Sequence, residues 1–190
     1  MINKQEFKDI GKELKKFEEE RELLIQKSRE IITLSKQIIY SIHRDDIKKA
    51  EELNKQIKNK VLTLSKNSYD TTMNNVAMQE YVEAVAFLEF IKNNKIPNRK
   101  ELKVEIEPYL CGLCDLTGEL VRKAVNSAIN KNSDEVIKIR EFIDQLYGEM
   151  LMFDFRNGDM RKKYDSIKWN LKKVEDIILE IKINNKKFNL

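Results

Sequence analysis

Residues 3–43 read NKQEFKDIGKELKKFEEERELLIQKSREIITLSKQIIYSIH, and this stretch decides the fold. Phe7, Ile10, Leu14, Phe17, Arg21, Leu24, Ser28, Ile31, Ser35, Ile38 and Ile42 follow one another in alternating steps of three and four. Those steps hold side chains on one face of an α-helix. At about 1.5 Å per residue the helix is on the order of 60 Å long. In a chain of 190 residues that length implies a coiled-coil hairpin or an extended bundle.

Outward from it the pattern stays helical. Asp45 is placed to cap a second helix reaching about Lys66, with Ile47, Leu53, Ile57, Val61 and Leu64 as its stripe. A polar turn over 67–74 leads to a third helix over about Met73–Asn93, which Pro97 prevents from continuing. Pro108 suits the start of a fourth helix running to about Asn130. Ser133 or Asp134 caps a fifth through about Asp154, and Asn157-Gly158 marks a turn. A last helix covers about Asp159–Lys182, with Tyr164, Ile167, Leu171, Val174 and Ile178 as its stripe. The expectation is an all-α bundle of six to seven long helices without a β-sheet. It forms one domain over 1–183, with 184–190 a frayed tail.

Composition agrees: five glycines, two prolines and 36% charged residues suit long helices with few turns. A net charge of +4 permits a nucleic-acid partner without demanding one. No stretch reaches the roughly 18 to 20 apolar residues of a membrane span, and the N-terminus has no apolar core resembling a signal peptide. Together with two cysteines these features lead us to expect a cytoplasmic protein with free thiols. Cys111 and Cys114 have the Cys-x-x-Cys spacing, but no strand precedes them and a single histidine leaves zinc short of ligands. They read as small buried helix residues.

The chemistry lies in two acidic pairs. Glu80 and Glu83 interrupt the row Val76, Glu80, Glu83, Phe87, Phe90, while the neighbouring row is Ala77, Tyr81, Ala84, Leu88, Ile91. In the fourth helix, Gly112, Asp115, Glu119, Arg122 and Asn126 run between two apolar rows. Carboxylates on apolar faces must be paired, ligate a cation or face water, because burying them bare costs several kcal/mol. From spacing alone, an internal ion-pair network and a divalent-metal site both stand, with Asp115 or Glu119 paired to Arg122 in the first. Gly112 and Gly118 are read as letting another helix approach closely.

Four separated motifs in order then resemble the translin superfamily, in particular its translin-associated factor X branch. They are Ser35-Lys-Gln-Ile-Ile-Tyr-Ser-Ile-His43-Arg44, Gln79-Glu-Tyr-Val-Glu-Ala, Tyr109-Leu-x-Gly-x-x-Asp-Leu-Thr-Gly-Glu-Leu, and a C-terminal block opening Asp154-Phe-Arg-Asn-Gly-Asp-Met-Arg. The last block is the more translin-like. The resemblance implies a helical protomer in a hollow octamer, with Glu80, Glu83 and Asp115 holding Mg²⁺ or Mn²⁺ and Glu119 completing the catalytic set. It further implies an endoribonuclease cleaving single-stranded RNA, or, in the alternative translin-like role, a non-catalytic single-stranded RNA or DNA binder. The combination of these acids with a translin-like C-terminus suggests a form that assembles with itself. Candidate RNA contacts are Arg122, Lys36, His43 and Arg44, with Arg156, Arg161, Lys162 and Lys163 behind them. On this reading, amide substitutions at Glu80, Glu83 or Asp115 abolish cleavage and leave stability unchanged or improved.

Overall fold

A computed structural model of the chain describes residues 2–65, 67 and 69–187. Seven helices account for the fold among these residues, and none of them forms a strand. They are α1 (Lys4–His43), α2 (Ile47–Leu62), α3 (Met73–Asn93), α4 (Arg99–Leu102), α5 (Ile106–Ile129), α6 (Ser133–Met150) and α7 (Asp159–Lys187). The chain divides into two compact units, Met1–Tyr81 and Val82–Leu190.

In the first unit, the Asn3 side chain accepts from the backbone N–H groups of Gln5 and Glu6 and starts α1. Asp45 does not cap α2, as the spacing had suggested. It takes a left-handed φ of 58° just past the end of α1. The next residue, Asp46, accepts from the Lys49 N–H instead. A reversal this tight lays α2 back along α1, where Lys60 pairs with Glu30 at 2.6 Å and the Lys27 ammonium reaches the Thr63 carbonyl at 3.3 Å. Leu24, Ile31, Ile38 and Ile42 of the α1 stripe are fully buried, each worth roughly 1.5 to 3 kcal/mol over exposure. Upstream, Phe7, Ile10, Leu14 and Phe17 are exposed, although Phe17 meets the Tyr69 ring edge-on at 5.8 Å.

The second unit contains the rest of α3 and α4 to α7. Unforeseen in the sequence, α4 is a single turn closed by a capping box between Asn98 and Glu101 and ended by left-handed Lys103. The fourth expected helix begins at Ile106, two residues before Pro108. The fifth is capped by Asn132, which accepts from the Glu135 N–H, and stops at Met150. α7 stays helical to Lys187, so 184–187 of the expected tail are helical, while 188–190 lie outside the described residues. α5, α6 and α7 pack on one another. Their core holds Leu116, Leu120, Ile139, Ile143 and Ile167 at zero exposure, and Phe90 of α3 meets Phe142 of α6 at 5.1 Å.

Candidate active site

α5 is buried on two sides because Cys111, Leu113, Cys114, Leu116, Thr117 and Leu120 all turn inward. Asp115, Glu119 and Arg122 stand four and three residues apart and therefore share the remaining face. Asp115 and Glu119 are half-buried and Arg122 is exposed. Arg122 lies 3.9 Å from Glu119, so one of the ion pairs allowed by the sequence does form.

Asp115 finds a different cation. The Lys163 ammonium of α7 donates to Asp115 Oδ2, with the two side chains 29% and 30% exposed. Burial acts to lower the Lys163 pKa. The Asp115 hydrogen bond and charge, joined by Cys111 and Glu83, outweigh it and hold the group above its ordinary value. Glu83 of α3 therefore lies within the field of the same ammonium. Glu80 sits one turn earlier on α3, also half-buried.

Two further contacts fix α7 against α5. The Cys111 thiol meets Met160 Sδ at 3.4 Å, and Asn170 Nδ2 donates to Thr117 Oγ1 at 2.8 Å while Thr117 itself donates to the Cys114 carbonyl. Met160, Lys163, Ile167, Asn170 and Val174 form one row in steps of three and four. That row puts Lys163 on the face that α7 turns toward α5, and nothing in the sequence pairs it with Asp115. A Cβ at Gly118 would lie 3.9 Å from Asn170 Nδ2, an ordinary contact, so this glycine is not what lets α7 approach.

Both cysteines are free and buried. Burial pushes the Cys111 thiol up to about 11 and the Cys114 thiol up to about 12, the reverse of a reactive thiolate.

Among the described residues, no three His, Cys, Asp or Glu side chains stand close enough to enclose a metal ion. The cluster nevertheless fits a hard divalent cation in kind. Its donors are carboxylate oxygens, and one of them already seats a cation, the Lys163 ammonium.

The basic candidates fall into two groups. In the first unit, Lys36 is exposed on α1, half-buried His43 ends that helix, and the Arg44 guanidinium bonds the Tyr40 hydroxyl at 3.1 Å. In the second unit, Arg161 reaches Asp165 at 3.2 Å and covers the Tyr164 ring, and Lys162 reaches Asp159 at 3.3 Å. Arg156, on the α6–α7 connection, is exposed. A surface groove of about 870 Å³ is lined by α1 from Glu19 to Gln37 with Lys60 of α2, and it contains none of the candidate acids.

A strand-free helical fold with a half-buried carboxylate and ammonium cluster on its packed helices defines the class. The chain belongs to the Translin family, whose pattern it matches over residues 19–185. It is 32% identical over 167 residues to an uncharacterised protein of Methanocaldococcus jannaschii, covering 84% of this chain and 75% of that one. It is 25% identical to mouse translin-associated protein X, covering 93% of this chain and 77% of the relative. The solved structure of apo-NeC3PO superposes with a TM-score of 0.85 at 30% identity, covering 94% of this chain and 97% of that one. AfC3PO in complex with duplex RNA superposes with a TM-score of 0.83 at 25% identity, covering 94% and 97%. Among the described residues no helix is long and apolar enough to cross a membrane.

Proposed function

We propose that this protein binds RNA and cleaves it as a Mg²⁺- or Mn²⁺-dependent endoribonuclease, working as a self-assembled, hollow oligomer. The observation that carries the reading is the Asp115 carboxylate. It is half-buried in an apolar helix, holds a cation and shares that cation's field with Glu83. Glu80, Glu83 and Asp115 are the ligands in this reading. When bound, the metal supplies Lewis acidity toward a phosphate oxygen and makes a water more acidic. Glu119, one turn beyond Asp115, accepts a hydrogen bond from the attacking water and orients it in line with the leaving oxygen. Arg122 presents a planar fork of donors to the backbone phosphate. The remaining affinity comes from surface lysines and arginines acting on phosphate charge. The structure of AfC3PO with duplex RNA supports an RNA partner.

One observation favours a second reading, a non-catalytic binder of single-stranded RNA or DNA. Asp115 and Glu119 each have a basic side chain beside them, Lys163 and Arg122, as expected of structural ion pairs. Incubating pure protein with end-labelled single-stranded or duplex RNA, in Mn²⁺ or in EDTA, separates the two. Internal cuts dependent on Mn²⁺ establish the enzyme, whereas retention of intact RNA in both conditions establishes the binder.

A further inference from the structure

We propose that Lys163 is a displaceable counter-ion of the acidic site: its ammonium holds Asp115 in the free protein and passes to a backbone phosphate when RNA binds, so that phosphate and divalent-ion binding reinforce one another. The proposal rests on reading Asp115 as a metal ligand. The run Arg161-Lys162-Lys163 opens α7. Its first two members pair along their own helix, with Asp165 and Asp159, and the third crosses to α5. Lys163 is thus the one of the three directed at the carboxylates.

Its hydrogen bond occupies Oδ2, one of the two Asp115 oxygens open to a hard cation. Ammonium and divalent ion compete for it. At 29% exposure the side chain is buried enough to hold the pair and open enough to swing outward on its flexible four-carbon stem. An arriving phosphate offers the ammonium a second anion and vacates Asp115. Linkage then requires that each ligand tighten the other by the same factor.

The test is Mn²⁺ affinity, measured by titration calorimetry on the intact protein with no nucleic acid present. Lys163→Met keeps the aliphatic stem and removes the charge, and should bind Mn²⁺ on the order of tenfold more tightly than wild type. Single-stranded RNA, added in a Glu119→Gln background so that it stays intact, should tighten Mn²⁺ binding by a larger factor with Lys163 present than with Lys163→Met. Lys163→Gln, which retains a donor for Asp115, serves if the methionine variant folds poorly, and should also bind more tightly than wild type. Unchanged or weaker Mn²⁺ binding by a folded Lys163 variant overturns the proposal. Asp115→Asn, run in parallel, tells this failure from that of the site. If wild type binds Mn²⁺ and Asp115→Asn does not, the ligand reading stands and only the role of Lys163 is lost. If both bind alike, the site and the counter-ion fall together.

Discussion

At the residue scale, Asp115 carries a stability cost of its own. The metal-site reading of the sequence implies that neutralising any of Glu80, Glu83 and Asp115 leaves stability unchanged or improved. With Lys163 bonded to Asp115, Asp115→Asn leaves a half-buried ammonium without its counter-charge. It should cost about 1 to 2 kcal/mol, less than a fully buried pair because both side chains are partly solvated. Glu80→Gln and Glu83→Gln remove the charge of the other two proposed ligands while keeping their size. All three should lose Mn²⁺-dependent cleavage and keep RNA binding, as read by melting, cleavage and filter retention on the same samples. Retained cleavage in all three would remove the carboxylates from the mechanism. The cysteines make the opposite case. Cys111→Ala with Cys114→Ala should leave cleavage intact. In the native protein both thiols should react with a maleimide far more slowly than in urea. Their folded pKa values lie above the ordinary value near 9, so the protonated thiols stabilise the fold fully below pH 9. That contribution is lost as pH rises from there through about 11 and 12. Alkaline unfolding should therefore shift to higher pH in the double alanine variant.

At the element scale, α1 is about 60 Å long and α2, with 16 residues, about 24 Å. The α2 contacts with α1 at Lys27 and Glu30 lie near its C-terminal end, so α2 covers only the later part of the α1 stripe. Phe7, Ile10 and Leu14 remain exposed at 62%, 41% and 61%, a continuous apolar row of the kind that marks association surfaces. Leu14→Asp should lower the assembled mass seen by light scattering while circular dichroism stays helical. An unchanged mass would mean the row is not an association surface. Helix ends in this glycine-poor chain carry a second consequence. Asp45, Asn94, Lys103 and Lys131 take left-handed φ values of 51° to 60° where glycine is usual. Lys131→Gly, at an exposed site with φ 60°, should raise stability by up to about 1 kcal/mol, measured by urea unfolding.

At the scale of the whole molecule, the chain spans nearly all of the solved structures it resembles, and its α1 row is exposed. We expect a particle near eight protomers. Light scattering at micromolar concentration checks this, and a stable monomer there would count against both the assembly and the enclosed site.

The sequence alone determined the helical class, the bounds of α1 and α3 and the turns around Pro97 and Gly158, because periodicity, proline and glycine act over a few residues. Within one helix it placed Glu80 beside Glu83 and Asp115 beside Glu119, since a turn of helix fixes neighbours three and four apart. Where several polar residues stood together it could not choose the cap: Asp46 and not Asp45, Asn132 and not Ser133, alternatives separated only by local geometry. The partner of Asp115 was beyond it altogether. Arg122 lay within reach along the helix, but Lys163 is 48 residues away and meets Asp115 only because Met160, Ile167 and Asn170 set the register of α7 on α5. Which cation a buried carboxylate keeps is decided by packing between helices, and that is a property of the tertiary structure.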